Sequence, residues 1–216
     1  MINLTKAILS LGLLLVLAGC ESAYYSAMDK VGYAKREIMV DRIENVAEAQ
    51  EDAQEQFKSA LEQFSSVVNF QGGDLEKLYS QLNDEYEDSV SAAEGIKDRI
   101  DSVENVSQAL FDEWEDEIQL YSSAALKSDS MRKLSQTKRD YQRLIKAMRR
   151  AEGTLQPVLN SFQDQVLYLK HNLNARAIAS LKGELKNIDG DVKNLIATMD
   201  ASIAEAKSFI ATLQSS

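Results

Sequence analysis

The stretch MVDRIENVAEAQEDAQEQFKSALEQFSSVVNFQGGD, residues 39–74, decides the fold. Apolar side chains recur at Met39, Ile43, Val46, Ala53, Phe57, Ala60, Phe64 and Val67 in alternating steps of four and three, and Gln50 fills the one slot left to a polar residue. That period puts every member on one stripe of a long helix, which needs partner helices along its length. Gln71-Gly72-Gly73-Asp74 ends the stripe. Its glycines can take backbone angles closed to other residues at a helix end, and Asp74 can cap a following helix.

Working outward, the same period returns three times. Leu75, Leu78, Leu82 and Tyr86 begin a second segment, continued by Ala93, Ile96, Ile100, Val103, Leu110 and Trp114. Its pattern weakens around residues 89–95, where a bend is expected. Residues 122–130 read as a serine-rich connector, with Ser128 or Asp129 as the cap of the next helix. The third segment keeps strict spacing through Tyr141, Ile145, Met148, Glu152, Leu155, Leu159, Phe162, Val166 and Leu169. Pro157 lies inside it and removes a helical hydrogen bond to Gly153. Because the register survives across Pro157, the expectation is a kink rather than a chain reversal at residues 153–157. After His171-Asn172-Leu173-Asn174 the fourth segment carries Leu181, Leu185, Ile188, Val192, Leu195, Met199, Ile203, Ala206, Ile210 and Leu213. The step of four from Met199 to Ile203, where three is due, reads as a stutter.

The predicted fold is therefore all-α, an elongated antiparallel four-helix bundle with coiled-coil-like heptad packing. It forms one domain over residues 24–216, with helices at about 24–70, 75–121, 130–170 and 175–214. One proline and nine glycines leave little material for sheet edges or tight turns. Charge supports the order of packing. Residues 74–121 hold fifteen acidic side chains against Lys77, Lys97 and Arg99, a net of −12, whereas residues 127–150 hold nine basic ones against Asp129 and Asp140, a net of +7. Opposite signs on consecutive helices favour their pairing and oppose mispairing.

Upstream of the bundle, residues 1–6 form a short basic region, and residues 7–16 an apolar one. Leu17-Ala18-Gly19 then precede Cys20, the only cysteine in the chain. This ending resembles the lipobox of bacterial lipoproteins, whose leader, here residues 1–19, is cleaved before the cysteine. The resemblance implies a diacylglycerol on the sulfur of Cys20, an acyl chain on its new amine, and a short linker over residues 20–23. The apolar run, thirteen residues from Ala7 to Gly19, is too short to span a bilayer, which takes about 20. Each buried acyl CH₂ contributes about 0.8 kcal/mol, so three chains hold a protein on a membrane. Glu21 is not the aspartate that, in enteric sorting rules, favours retention in the inner membrane. The expected location is the bacterial cell envelope, on the periplasmic face of the outer membrane.

The chain carries 24 basic and 34 acidic residues, a net of −10, and losing Lys6 with the leader makes it −11. That balance disfavours nucleic acid or an anionic bilayer as the main partner. The expected partners are the membrane, through the N-terminal lipid, and an envelope protein or cell-wall polymer. No cofactor or metal is expected. A di-iron bundle needs two Glu-x-x-His motifs, and His171 is the only histidine. The acidic group Asp112, Glu113, Glu115, Asp116 and Glu117 lacks calcium-loop spacing and reads as a solvated face beside the basic third helix. No catalytic constellation is present, and the expectation is a non-enzyme.

Two groups stand out as candidate sites. Arg143, Arg149 and Arg150 are a candidate anion-binding group, set against the alternative of pairing with neighbouring acidic helices. His171, Asn172, Asn174 and Arg176 are a candidate partner-binding patch, set against a role in capping helix ends. Ser22-Ala23-Tyr24-Tyr25, Ala147-Met148-Arg149-Arg150-Ala151-Glu152 and the segment from Tyr168 to Ile178 together resemble a family of small, uncharacterised lipoproteins of Gram-negative bacteria, grouped as a domain of unknown function. The resemblance covers essentially the whole chain and implies a helical envelope lipoprotein without an activity to transfer. The leading functional expectation is a membrane-anchored periplasmic scaffold or adaptor. The alternative is a binding module that takes a lipid or other apolar ligand inside the bundle near Pro157, lined by Trp114, Tyr141, Met148 and Phe162.

Overall fold

The computed structural model describes residues 35–215. The expected leader, Cys20, Glu21 and the expected start of the first helix over residues 24–34 lie outside the described residues. Four helices follow: α1 (Lys35–Val68), α2 (Leu75–Leu120), α3 (Ala124–His171) and α4 (Ala175–Ser215). Each consecutive pair is joined by a short connector and packs side by side, and α4 closes back on α1, so packing runs around the ring α1–α2–α3–α4. The result is an up-and-down four-helix bundle. At about 1.5 Å per residue, the 46 residues of α2 extend roughly 70 Å.

The stripe of α1 is buried throughout. Met39, Ile43, Val46, Gln50, Ala53, Phe57, Ala60, Phe64 and Val67 are all 0% exposed. After it, Gly72 and Gly73 have φ of +130° and +120°, and Asp74 accepts a hydrogen bond from the Lys77 amide at 3.0 Å. The expected turn and cap are thus in place. In α2 the weak stretch contributes Ser89, which is fully buried and donates its hydroxyl to the Glu85 carbonyl at 2.7 Å. This local bond lets a serine occupy a core position within a continuous helix.

Three expectations are corrected. The connector between α2 and α3 is only residues 121–123, not 122–130, and the cap is Ser123, whose side chain accepts from the Leu126 amide. Ala124, Ala125, Leu126 and Lys127 are good helix formers, and Ser130 is held by Trp114 Nε1 donating to its Oγ at 2.8 Å. In α3 the slot given to Glu152 belongs to Ala151, fully buried, while Glu152 leans outward to Arg149. The break at Met199–Ile203 is also absent from the innermost stripe. Met199, Ser202, Ala206, Phe209 and Leu213 are all buried and continue the three-four spacing, with Ile203 beside them. A serine concealed the register. The helix α3 runs without interruption through Pro157, so the chain does not reverse there.

The charge asymmetry becomes specific contacts. Lys138 of α3 reaches Glu115 of α2, Lys35 of α1 reaches Glu113 at 2.8 Å, Arg143 of α3 reaches Glu205 of α4, and Lys207 of α4 reaches Glu51 of α1. Most of these pairs are exposed and each contributes little, but they fix which helix faces which.

Gln50 is the exception within the core. Among the described residues neither its Nε2 nor its Oε1 has a hydrogen-bond partner, and the Ser202 hydroxyl also lacks one. Gln54 donates to Asp200 at 2.9 Å, which places Gln50 and Ser202 at nearby levels of the rod, on the α1 and α4 sides. A buried, unpartnered amide costs about 1–3 kcal/mol. Replacing Gln50 by methionine, an unbranched side chain of similar length, should raise Tm by roughly 2–12 °C for a domain of this size. Thermal unfolding followed by circular dichroism checks this. An unchanged or lower Tm would contradict the reading of Gln50 as an unsatisfied core residue.

Candidate functional site

The bundle leaves its large exposed apolar side chains at its ends. The large apolar side chains that stay exposed among the described residues are Leu120, Tyr121, Leu126 and Met131 at the α2–α3 end, and Leu167, Tyr168 and Leu173 at the α3–α4 end. The long sides between them expose none of that size. Lys35, at the entry to α1, pairs with Glu113 near the end of α2, so the chain enters the bundle at the α2–α3 end. The turn at residues 69–74 and the α3–α4 turn lie at the other end, hereafter the distal end.

At the distal end the sequence patch is assembled mostly from capping groups. The Asn172 amide donates to the Leu169 carbonyl at 3.0 Å and its side chain donates to the Tyr168 carbonyl at 2.9 Å, closing α3. The Asn174 side chain accepts from the amides of Arg176 and Ala177, each at 3.1 Å, opening α4. His171 and Arg176 are exposed beside them. The turn therefore brings all four residues together, with the two asparagines engaged in holding its shape. Sequence reasoning missed Leu167 as a surface residue and counted Tyr168 and Leu173 only as parts of the turn. Their signal is positional: Leu167 and Tyr168 fall between the buried Val166 and Leu169, off the stripe. Tyr168 is tied across the turn by the Ser180 hydroxyl, which donates to its phenolic oxygen at 3.2 Å. The distal surface is thus a rigid turn with an apolar and aromatic rim and a polar centre.

The arginine group is not one site. Arg149 is gathered by three carboxylates: Asp101 at 2.6 Å, Glu152 at 2.7 Å and Glu104. Its guanidinium is held charged well above its usual range, chiefly by the hydrogen bond to Glu104. Asp101 is held below the usual carboxylate range, first by its hydrogen bond from Lys97 and then by Arg149. A carboxyl whose folded value is lowered stabilises the fold above its unfolded value, and that contribution is lost as pH falls through the lowered one. The cluster thus ties α3 to α2 at neutral pH and weakens in acid. Arg143 pairs with Asp140 at 2.9 Å and with Glu205 at 3.3 Å. Arg150 alone of the three is exposed without an ion pair among the described residues.

The interior side chains singled out near Pro157 pack against protein. Tyr141, Met148 and Phe162 are buried. The Phe162 ring lies 6.5 Å from that of Phe57, and the Tyr141 ring meets Phe111 edge-on at 5.4 Å. Burial raises the Tyr141 hydroxyl above its ordinary range. Trp114 borders a separate small groove of about 180 Å³ toward α1 and α4. Close to Pro157 the α2–α3 surface carries an open groove of about 540 Å³, in which Leu155 and Leu159 adjoin the ion cluster of Lys97, Arg149 and Glu152. The four residues do not line a common cavity.

Among the described residues no group of three or more His, Cys, Asp or Glu is placed to hold a metal ion, and no helix is long and apolar enough to cross a membrane. Of the acidic group on α2, Glu113 and Glu115 are engaged by Lys35 and Lys138. No similarity was found to a curated protein or to a solved structure. A family described as a protein of unknown function (DUF2959) matches residues 24–213, from the start of the expected bundle to the last buried leucine of α4. With nearly the whole chain covered, the protein belongs to the DUF2959 family.

Proposed function

We propose that the protein is a lipid-anchored, non-enzymatic scaffold or adaptor of the bacterial envelope, standing on the periplasmic leaflet of the outer membrane. The observation that carries this reading is the distribution of exposed apolar side chains. They gather at the two ends of a rod roughly 70 Å long, whose sides carry charge pairs between the helices. A catalyst needs convergent groups around a cleft, whereas a spacer needs stiffness and two separated contacts. The lipobox-like Leu17–Cys20 supplies attachment near the end where α1 enters, and the distal turn, with Leu167, Tyr168 and Leu173 around His171 and Arg176, is the surface offered to a partner.

A photo-crosslinking residue placed at Leu173 in living cells tests the adaptor role, with Asp191 on the exposed side of the rod as control. A discrete adduct formed from position 173 and not from 191 is the expected result. Equal, diffuse adducts of abundant envelope proteins from both positions would refute it. Cys20→Ser should abolish lipidation and leave a longer precursor that retains its leader. Processing of that variant and membrane fractionation like the wild type would refute the anchor. On a density gradient the wild type should peak with the outer membrane, and a main peak with the inner membrane would overturn the inference from Glu21.

A further inference from the structure

The α2–α3 end departs from the acidic character of the chain, as the distal turn over residues 165–183 also does, and what distinguishes it is its place beside the chain entry. From Ile118 to Ser128 there is no carboxylate, and the single charge is Lys127, whose Nζ donates to Gln119 at 2.9 Å. Leu120 is 83% exposed, Leu126 58% and Met131 54%, and Tyr121 stands beside them at the tip. Behind the tip, between α2 and α3, lies a shallow groove of about 570 Å³ with Ile118, Met131 and Leu134 on its floor and Lys138 and Arg139 at its border. Leucines and a tyrosine at a helical tip, with the cationic Arg132 and Lys133 about two turns beyond Leu126, form the composition that settles into the headgroup boundary of a bilayer. The acidic side chains are set back from the tip: Asp116 and Glu117, exposed and without an ion pair among the described residues, lie about one turn before Leu120, while Asp129 pairs with Arg132 and Lys133, Glu113 with Lys35 and Glu115 with Lys138.

Position in the chain supplies the second argument. The tip is at the entry end of the bundle, since Glu113, bonded to Lys35, is seven residues before Leu120, or about 10 Å along α2. Lys35 is fifteen steps along the chain from Cys20, a tether of at most about 50 Å. A chain attached through Cys20 therefore holds this end within reach of the anchoring bilayer.

We propose that the α2–α3 tip, Leu120, Tyr121 and Leu126 with Met131 behind them, is a lipid-contacting surface that rests on the bilayer carrying the anchor. The proximity argument rests on the lipid-anchor reading given above. Contact at this tip adds a second point of attachment to the lipid tether and sets the rod upright, with the distal turn directed away from the membrane. None of the helices inserts across the bilayer. The apolar tip enters the headgroup boundary, and the acidic sides stay in water.

The test uses the full processed chain, purified from membranes and reconstituted into vesicles of phosphatidylethanolamine and phosphatidylglycerol that contain brominated acyl chains. Leu120→Trp adds an indole at the tip, and Leu173→Trp adds one at the distal turn. Both sites are exposed, so folding is retained, and the wild type supplies the baseline from Trp114. The expected result is at least a twofold loss of the added fluorescence for Leu120→Trp and none for Leu173→Trp. Absence of quenching for Leu120→Trp overturns the proposal, and would leave a protein partner as the reason for the exposed tip. Equal quenching at both positions overturns the upright arrangement. The intact mass of the same preparation reports the anchor separately. An acylated Cys20 with an unquenched tip defeats this proposal alone, and a quenched tip on a chain without acyl groups supports lipid contact while defeating the anchor.

Discussion

Phe57→Ala should lower the stability of the bundle by about 3–5 kcal/mol and Tm by roughly 6–20 °C. Phe57 is fully buried at the middle of α1, and its ring approaches Phe162 of α3, the helix diagonally opposite. Its removal takes away transfer free energy and leaves a void that the long, straight helices are poorly able to close. The neighbours on its own stripe, Ala53 and Ala60, are small and have no reach to fill the space. Chemical denaturation monitored by circular dichroism measures the change. A loss below about 1 kcal/mol would mean that the layer collapses around the deletion and that the centre of the bundle is plastic.

The second large effect has the opposite sign. Pro157 sits in the interior of a 48-residue helix with its ring exposed to solvent. Proline in a helix interior costs about 3 kcal/mol relative to alanine, while its restriction of the unfolded chain returns about 0.4–1 kcal/mol. Pro157→Ala should therefore stabilise the protein by about 2 kcal/mol and raise Tm by roughly 4–8 °C. The new amide restores a bond to the Gly153 carbonyl, and the exposed side chain has nothing in the core to disturb. A lower Tm would show that the packing of Leu155, Val158 and Leu159 is matched to the proline-bearing course of α3 and fails without it.

The legible part of this fold was the part written in large apolar side chains. The stripe of α1 could be read residue by residue, including Gln50, because a seven-residue period leaves each buried slot predictable even when a polar residue fills it. The turn at Gly72–Asp74 was legible for a different reason, since two consecutive glycines followed by an aspartate have few other uses. What stayed hidden were positions where a serine serves the packing or the capping of a helix. Ser202 lies in the innermost stripe of α4, and the apolar Ile203 beside it drew the register one residue aside. Ser123 and Ser130 belong to a helix, one as its cap and the other as the acceptor of the Trp114 indole, yet serines in sequence suggest a connector. Ser130 takes its place from a hydrogen-bond partner sixteen residues away and Ser202 from burial against neighbouring helices, neither of which a local pattern contains.

The distal turn proposed as a contact surface was legible only at its polar centre. His171, Asn172, Asn174 and Arg176 stand out in a sequence of helix formers, but two of them are spent on closing α3 and opening α4. The apolar rim of that turn, and the tip at Leu120–Leu126, become visible only when burial is known, because an exposed leucine and a buried one look alike in a list. The same holds for Arg149, where only the meeting of α2 with α3 reveals that three carboxylates already occupy its guanidinium.

The claim on which the others depend is that the chain runs up and down, with the entry end and the α2–α3 tip together and both remaining turns at the distal end. Spin labels at Gln71, Lys170 and Ser122, all exposed, measure this directly through pairwise electron–electron distances. The account predicts a short distance between Gln71 and Lys170, on the order of the width of two or three packed helices at about 10 Å each, with both labels roughly 70 Å from Ser122. A Gln71–Lys170 distance comparable to the length of the rod would contradict the up-and-down order, and with it the proposal that the distal turn is directed away from the membrane.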